Sequence, residues 1–224
     1  MFIGHYSAAF AARAFKPALP LWLLFMAVQL VDFFWAGLVI AGVEKFRIEP
    51  GFLEASPLDL YYMPFTHSLL SAVIWAVAAA LLYGAMRKGA GHWTAALILG
   101  GAVLSHWFAD LLVHAPDLPL IVGEPKYGFA LWRSLLWSQV AEMGLLVGGF
   151  WLYLRNTTPK GMMGKVSPWV FLLVLALLQA ISHMGEAQAG APIQPFAVSA
   201  LLAYGLIALG AWLVDRTRQD AARR

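Results

Sequence analysis

No cysteine occurs among the 224 residues. Disulfides and thiolate metal sites are excluded, so any bound metal must be held by His, Asp or Glu. Charge is the next scarcity. Asp, Glu, Lys and Arg make up 12% of the chain against 61% hydrophobic residues, with a mean hydropathy of +0.72. A soluble domain carries about 25% charged residues, so this composition excludes a water-exposed surface of ordinary kind and points to a membrane protein. The start, MFIGHYSAAFAARAF, lacks the basic opening and long apolar core of a cleaved signal peptide and is expected to be retained. The net charge of +3 does not indicate a nucleic-acid partner, because the basic residues are scattered over short loops and the tail DRTRQDAARR.

What is abundant is long apolar sequence. Runs of about twenty residues, the length that crosses a hydrocarbon core roughly 30 Å thick, recur at 20–43, 66–86, 93–114, 131–154, 167–184 and 194–214. Backbone polar groups find no water in lipid, and the runs are too long and continuous for barrel strands, so they are expected to be helices. The expected fold is an all-α polytopic membrane bundle of six long spans in one domain, residues 1–224. Six spans put Arg13, Lys16, Arg87, Lys88, Arg155, Lys160, Lys165, Arg216, Arg218, Arg223 and Arg224 on one side, against only Lys45, Arg47, Lys126 and Arg133 on the other. The positive-inside rule makes the first side, with the C-terminus, cytoplasmic, and turns loops 44–65, 115–130 and 185–193 outward. Trp93, Trp132, Trp151, Trp169 and Trp212 fall near span ends, where interfacial tryptophans sit.

A helix over about 3–16 precedes KPALP, whose Pro17 and Pro20 cannot continue a helix but can begin the next. If the break lies at the cytoplasmic face, this short helix inserts as a hairpin with the first span. His5 and Asp32 then stand at one depth, about 18 Å above that face. The alternative is an amphipathic helix on the membrane surface with His5 in water.

Ionisable groups in mid-membrane cost a few kcal/mol each unless they face a partner or a wet cavity. Asp32 in VQLVDFFW, His106 and Asp110 in LSHWFADLLVH, and Glu142 in SQVAEMGLL are such groups. His106 and Asp110, four apart, share a helix face with His114 one turn further on. Counting along the helix sets His106 about 20 Å up, near His5 and Asp32, and places His114 about 12 Å beyond it. His67 in MPFTHSLLSA counts to the outer rim at about 30 Å, an offset that helix tilt, a dip of the chain after Pro64 or a shifted span boundary would each close by about 5–10 Å. Read alone, it is a polar residue at a helix end with Thr66 as capping neighbour. Glu142 and His183 read as partners of Ser, Thr or Gln inside the bundle. Three histidines and two carboxylates converging from four helices are the donor set a cysteine-free protein offers zinc or a similar divalent ion.

GHYSAAFAARAF (4–15), LVDFFW (30–35), PFTHSLL (64–70) and GAVLSHWFADLL (101–112), in that order and spacing, resemble the YdjM-like family of predicted membrane-bound metal-dependent hydrolases. The resemblance covers roughly residues 1–120. It implies metal ligands at His5, Asp32, His67, His106 and Asp110. Two positions depart from the family pattern: Leu30-Val31-Asp32 stands where paired Asp-x-Asp is usual, and Tyr62-Met63-Pro64 where a basic residue precedes Thr-His.

These observations suggest a divalent-metal-dependent hydrolase, with zinc as the expected metal, acting on a lipid ester, amide or phosphoester that enters sideways from the bilayer. Asp32 or Asp110 would serve as ligand or general base. For phosphate chemistry Arg133 is the candidate cation. A transporter whose ion or proton path uses the same His/Asp cluster, and a non-catalytic scaffold, are the competing readings.

Overall fold

The computed structural model describes residues 1–16, 18–184 and 188–221; Pro17, part of the 185–193 loop, Arg223 and Arg224 lie outside the described residues. Eight α-helices are present among them: α1 Tyr6–Phe15, α2 Leu21–Val28, α3 Leu30–Ile40, α4 Leu69–Met86, α5 His92–Val113, α6 Leu135–Asn156, α7 Gly161–Ser182 and α8 Ile193–Arg216. Helices α4 to α8 are each long and apolar enough to cross a membrane, and α2 with α3 makes a sixth candidate if the pair is one bent span. Their flanks expose large apolar side chains such as Leu82, Leu97, Leu136 and Leu202, as an integral membrane protein does.

The first expected span, 20–43, is broken. Helices α2 and α3 meet at Gln29 with a bend of 52°. At the break the Nδ1 of His106 lies 2.7 Å from the carbonyl oxygen of Val28, a side chain inserted where the helical ladder would otherwise continue. Pro20 sits at the N-cap of α2, as proline at a helix start does.

Helix α7 begins at Gly161, earlier than the expected 167, and runs through Pro168. Proline removes the N–H that would bond the carbonyl four residues back. That carbonyl, on Gly164, instead accepts Nη1–H of Arg218 at 2.7 Å. Arg218 is buried and also donates to Oγ1 and the carbonyl of Thr157, so a residue from the tail makes the interior proline tolerable.

The bundle is not wholly helical. The loop expected over 44–65 forms an antiparallel pair, β1 Lys45–Leu53 with β2 Ser56–Tyr62, with Arg47 opposite Asp59. It is rich in aromatic residues, and Gly51 at φ +79° falls where the register of β1 is irregular between Ile48 and Leu53. Shorter pairs join β3 Leu118–Pro119 to β4 Lys126–Tyr127 and β5 Thr157–Pro159 to β6 Arg218–Asp220. The β5–β6 pair ties the α6–α7 connection to the tail, and Asp215 at the end of α8 and Asp220 of β6 both pair with Arg13 of α1. At the other end, Ala55 N–H donates to the Trp132 carbonyl and Lys126 Nζ to that of Tyr61. Arg13, the α6–α7 connection and residues 215–220 thus gather at one end, and the 44–65 and 115–130 loops at the other.

Helix α1 packs against α2, α5 and α6. Tyr6 stacks on Phe25, and Phe10 meets Phe25 and Phe150 edge-on. Close approach to α6 depends on Gly149, where a Cβ would stand 2.4 Å from the carbonyl oxygen of Ser7. His5 is accordingly 2% exposed, buried among helices rather than in water.

Candidate metal centre

Two apolar cores meet along α5. Val103 belongs to one with α1, α2, α6, α7 and α8; Trp107 belongs to the other with Trp35, Phe46 and Leu60. His106 and Asp110 project between them, both almost fully buried.

All five residues expected from the sequence come together there. Asp110 is the hub. Its Oδ1 is 3.2 Å from His5 Nε2, and its Oδ2 is 3.0 Å from His106 Nε2 and 3.7 Å from His67 Nε2. Asp32 Oδ1 stands 3.3 Å from His67 Nε2 and 3.5 Å from His106 Nε2. The imidazoles of His5 and His106 stack with centroids 3.9 Å apart. Ligating atoms of His5, Asp32 and His106, and likewise of His67, His106 and Asp110, all lie within 4.8 Å of one another, so these buried groups can hold a metal ion.

His67 is inside the site and not at the rim where counting put it. Counting assumed helical rise, but α4 starts only at Leu69 and residues 63–68 are a turn that dips into the bundle. Ser68, not Thr66, caps α4, its Oγ accepting from Ser71 N–H. Trp107 Nε1–H donates to the His67 carbonyl and fixes the turn. Thr66 instead bridges: its Oγ1 is 2.6 Å from Glu44 Oε2 and 2.8 Å from His67 Nδ1. Burial pushes the Glu44 carboxyl up from its ordinary value, against the opposing hydrogen bonds from Thr66 and Phe65.

The outward nitrogens of two more rings are anchored away from the site. His106 Nδ1 faces a carbonyl, which can only accept, so Nδ1 carries the proton and Nε2 of the neutral ring carries a lone pair. His114 Nδ1 lies 2.9 Å from Asp117 Oδ1, and its Nε2 lies 3.4 Å from Asp110 Oδ1. His114 thus reaches Asp110, which axial counting had missed. It ends α5 with extended backbone, and helical side chains lean back toward the N-terminus.

Glu142 departs from expectation. It accepts the N–H groups of Phe2 at 2.9 Å and Gly4 at 3.0 Å, capping the turn that carries His5. His183 does pair with glutamines: its Nε2 is 2.8 Å from Gln139 Nε2 and 3.2 Å from Gln179 Nε2. Tyr204 of α8, for which the sequence offered no signal, donates its hydroxyl to Asp32 Oδ2 at 3.2 Å. The amine nitrogen of Met1 lies 2.5 Å from Asp110 Oδ1.

A cavity of about 460 Å³ opens onto Asp32, His67, Asp110 and His114, with walls that include Trp35, Leu60, Leu178 and Phe196. Arg133 is exposed and is not among its lining residues.

Compared with protein-family models, with curated proteins and with solved structures, the chain matches none.

Proposed function

We propose that this chain is a membrane-embedded hydrolase that uses a divalent metal ion, zinc by its donor set, to cleave an acyl ester or amide of a lipid. One observation carries the reading: buried imidazole nitrogens face buried carboxylates without forming hydrogen bonds of good geometry. His106 Nε2 is 3.0 Å from Asp110 Oδ2 yet has no hydrogen-bond partner, and neither ring nitrogen of buried His5 has one. Buried polar atoms are normally satisfied. Ligand atoms around a tetrahedral ion with bonds of about 2.0–2.2 Å stand about 3.3–3.6 Å apart. The His–Asp separations of 3.0–3.7 Å bracket that spacing.

In this reading three ligands drawn from His5, His67, His106, Asp32 and Asp110 would hold the ion and leave one position for water. A bound divalent ion supplies hydroxide near neutral pH by lowering the pKa of its water to about 7. Asp110, its side chain 2% exposed, is confined to holding the ion and orienting the imidazoles around it. Asp32 is 12% exposed and borders the cavity, so it is the carboxylate placed to take a proton from entering water. Tyr204 steadies it through Oδ2. The apolar cavity wall suits an acyl chain. Among the described residues no Lys or Arg lines the cavity, which favours a neutral acyl group over a phosphoester. Six crossings, with α1 inserted as a hairpin beside a bent first span and the C-terminus cytoplasmic, complete the reading, supported by the charge asymmetry.

The test is purified protein in detergent, without any gradient, assayed for zinc by elemental analysis and for fatty-acid release from defined glycerolipids and N-acyl lipids. Stoichiometric metal with turnover that falls together in His106→Ala is expected. Metal without turnover would sink the hydrolase and leave an ion-handling protein.

A further inference from the structure

We propose that Glu44 decides which nitrogen of His67 carries the proton, acting through the hydroxyl of Thr66, and so keeps the His67 Nε2 lone pair turned toward Asp32 and Asp110. Glu44 is a positioning residue outside the cluster, and the inference rests on the metal-site reading for its functional meaning.

The argument follows the hydrogens. Glu44 is fully buried at the start of β1. Its Oε1 accepts the N–H groups of Phe65 at 2.8 Å and Thr66 at 3.0 Å, two main-chain donors that cannot be reversed. Its Oε2 is 2.6 Å from Thr66 Oγ1. A carboxylate only accepts, so the hydroxyl spends its single proton on Glu44. Toward His67 Nδ1, at 2.8 Å, Thr66 then has only a lone pair to offer. Nδ1 must donate, which leaves the lone pair of the neutral ring on Nε2, the atom 3.3 Å from Asp32 and 3.7 Å from Asp110. His106 reaches the same state through the Val28 carbonyl. A carbonyl cannot change sense, whereas a hydroxyl can, and Glu44 is what removes that freedom. Partners of this kind fix ring tautomer and orientation in metal sites.

Glu44→Gln separates this role from a merely structural one. The amide oxygen remains on the two main-chain donors and preserves the turn, while the amide nitrogen takes the place of Oε2. Thr66 must then accept from it and donate to His67 Nδ1, moving the ring proton to Nε2. The experiment uses the full chain in detergent, stripped of metal by chelator and labelled with ¹⁵N in its imidazoles, with the His67 signals assigned by their loss in His67→Ala. Expected are the Nδ1–H tautomer in wild type and Thr66→Ser, the Nε2–H tautomer in Glu44→Gln, and loss of the Nδ1–H preference in Thr66→Val. An unchanged Nδ1–H tautomer in folded Glu44→Gln would overturn the proposal. Should that variant not fold, retention of Nδ1–H in Thr66→Val would overturn it instead. Zinc competition against a chelator follows: Glu44→Gln is expected to bind about 10–100-fold more weakly and Thr66→Ser within about twofold of wild type. A tautomer switch with no zinc binding in any variant would support the role of Glu44 while overturning the metal reading. Stoichiometric zinc without a switch would do the reverse.

Discussion

Asp110→Asn keeps the shape of a side chain and removes its charge at the point where four imidazoles converge. In the wild type, Oδ1 faces His5 and His114 at 3.2 and 3.4 Å, and Oδ2 faces His106 and His67 at 3.0 and 3.7 Å. Oδ1 also accepts the buried Met1 amine at 2.5 Å, so the amide keeps its oxygen there and turns its NH₂ to the Oδ2 place, facing His106 and His67. The amine loses its opposing charge, and stability is therefore expected to fall by about 3–5 kcal/mol. Metal affinity should fall as well, because an amide nitrogen offers no lone pair to a cation and a negative charge has gone. Changes to residues that merely support ligands already cost about 10–100-fold, so losing this one should exceed about 100-fold, or about 2.7 kcal/mol. The assay is elemental analysis of monodisperse protein together with chelator competition. His92→Ala is the control, since that ring bonds the Gly89 carbonyl at the opposite end of α5. Equal metal in folded wild type, Asp110→Asn and His106→Ala would refute the reasoning.

Orientation is tested by single cysteines, for which the chain is a clean background: replacements at Asn156 and Gln219 should resist an impermeant reagent applied outside intact cells, and those at Glu49 and Gly123 should react. The opposite pattern inverts the topology. Arg218→Ala orphans the buried carbonyls of Gly164 and Thr157 and should cost about 2–4 kcal/mol. In a Pro168→Ala background the cost should shrink by about 1 kcal/mol, because an N–H returns to Gly164; strict additivity in thermal melts would disprove the link. Gly149→Ala drives a methyl against the Ser7 backbone and should lose about 1–3 kcal/mol, whereas Gly148→Ala meets nothing within 4 Å and should be neutral or gain up to about 1 kcal/mol. Equal melting of the two would contradict the packing of α1 on α6.

Helices α4 to α8 were legible because lipid demands length and uniform hydropathy, and both are written locally. The interruptions were not, because each has a distant cause. Gln29 resembles any polar residue in an apolar run until His106, far along the chain, takes the Val28 carbonyl. Ser167-Pro168 reads as a helix start, and only Arg218 from the tail lets α7 run through it. The site was legible where ionisable residues interrupt apolar sequence, as at Asp32, His106 and Asp110. His67 was displaced by a non-helical turn that linear counting cannot see. Glu44 and Tyr204 gave no signal, since a loop glutamate and a helical tyrosine are ordinary by themselves, and Thr66 read as a cap rather than as a bridge to Glu44.

The burial of α1 sets synthesis and completion in opposite order. Residues 2–15 leave the ribosome before the helices they pack against, yet the N–H groups of Phe2 and Gly4 wait for Glu142, the Ser7 backbone waits for Gly149, and Arg13 waits for Asp215 and Asp220. His5 reaches its place against Asp110 only after α5 exists, and is held there only after α6 does. Helix α1 and the turn before it are thus a keystone, set last among packing partners that were all made after them.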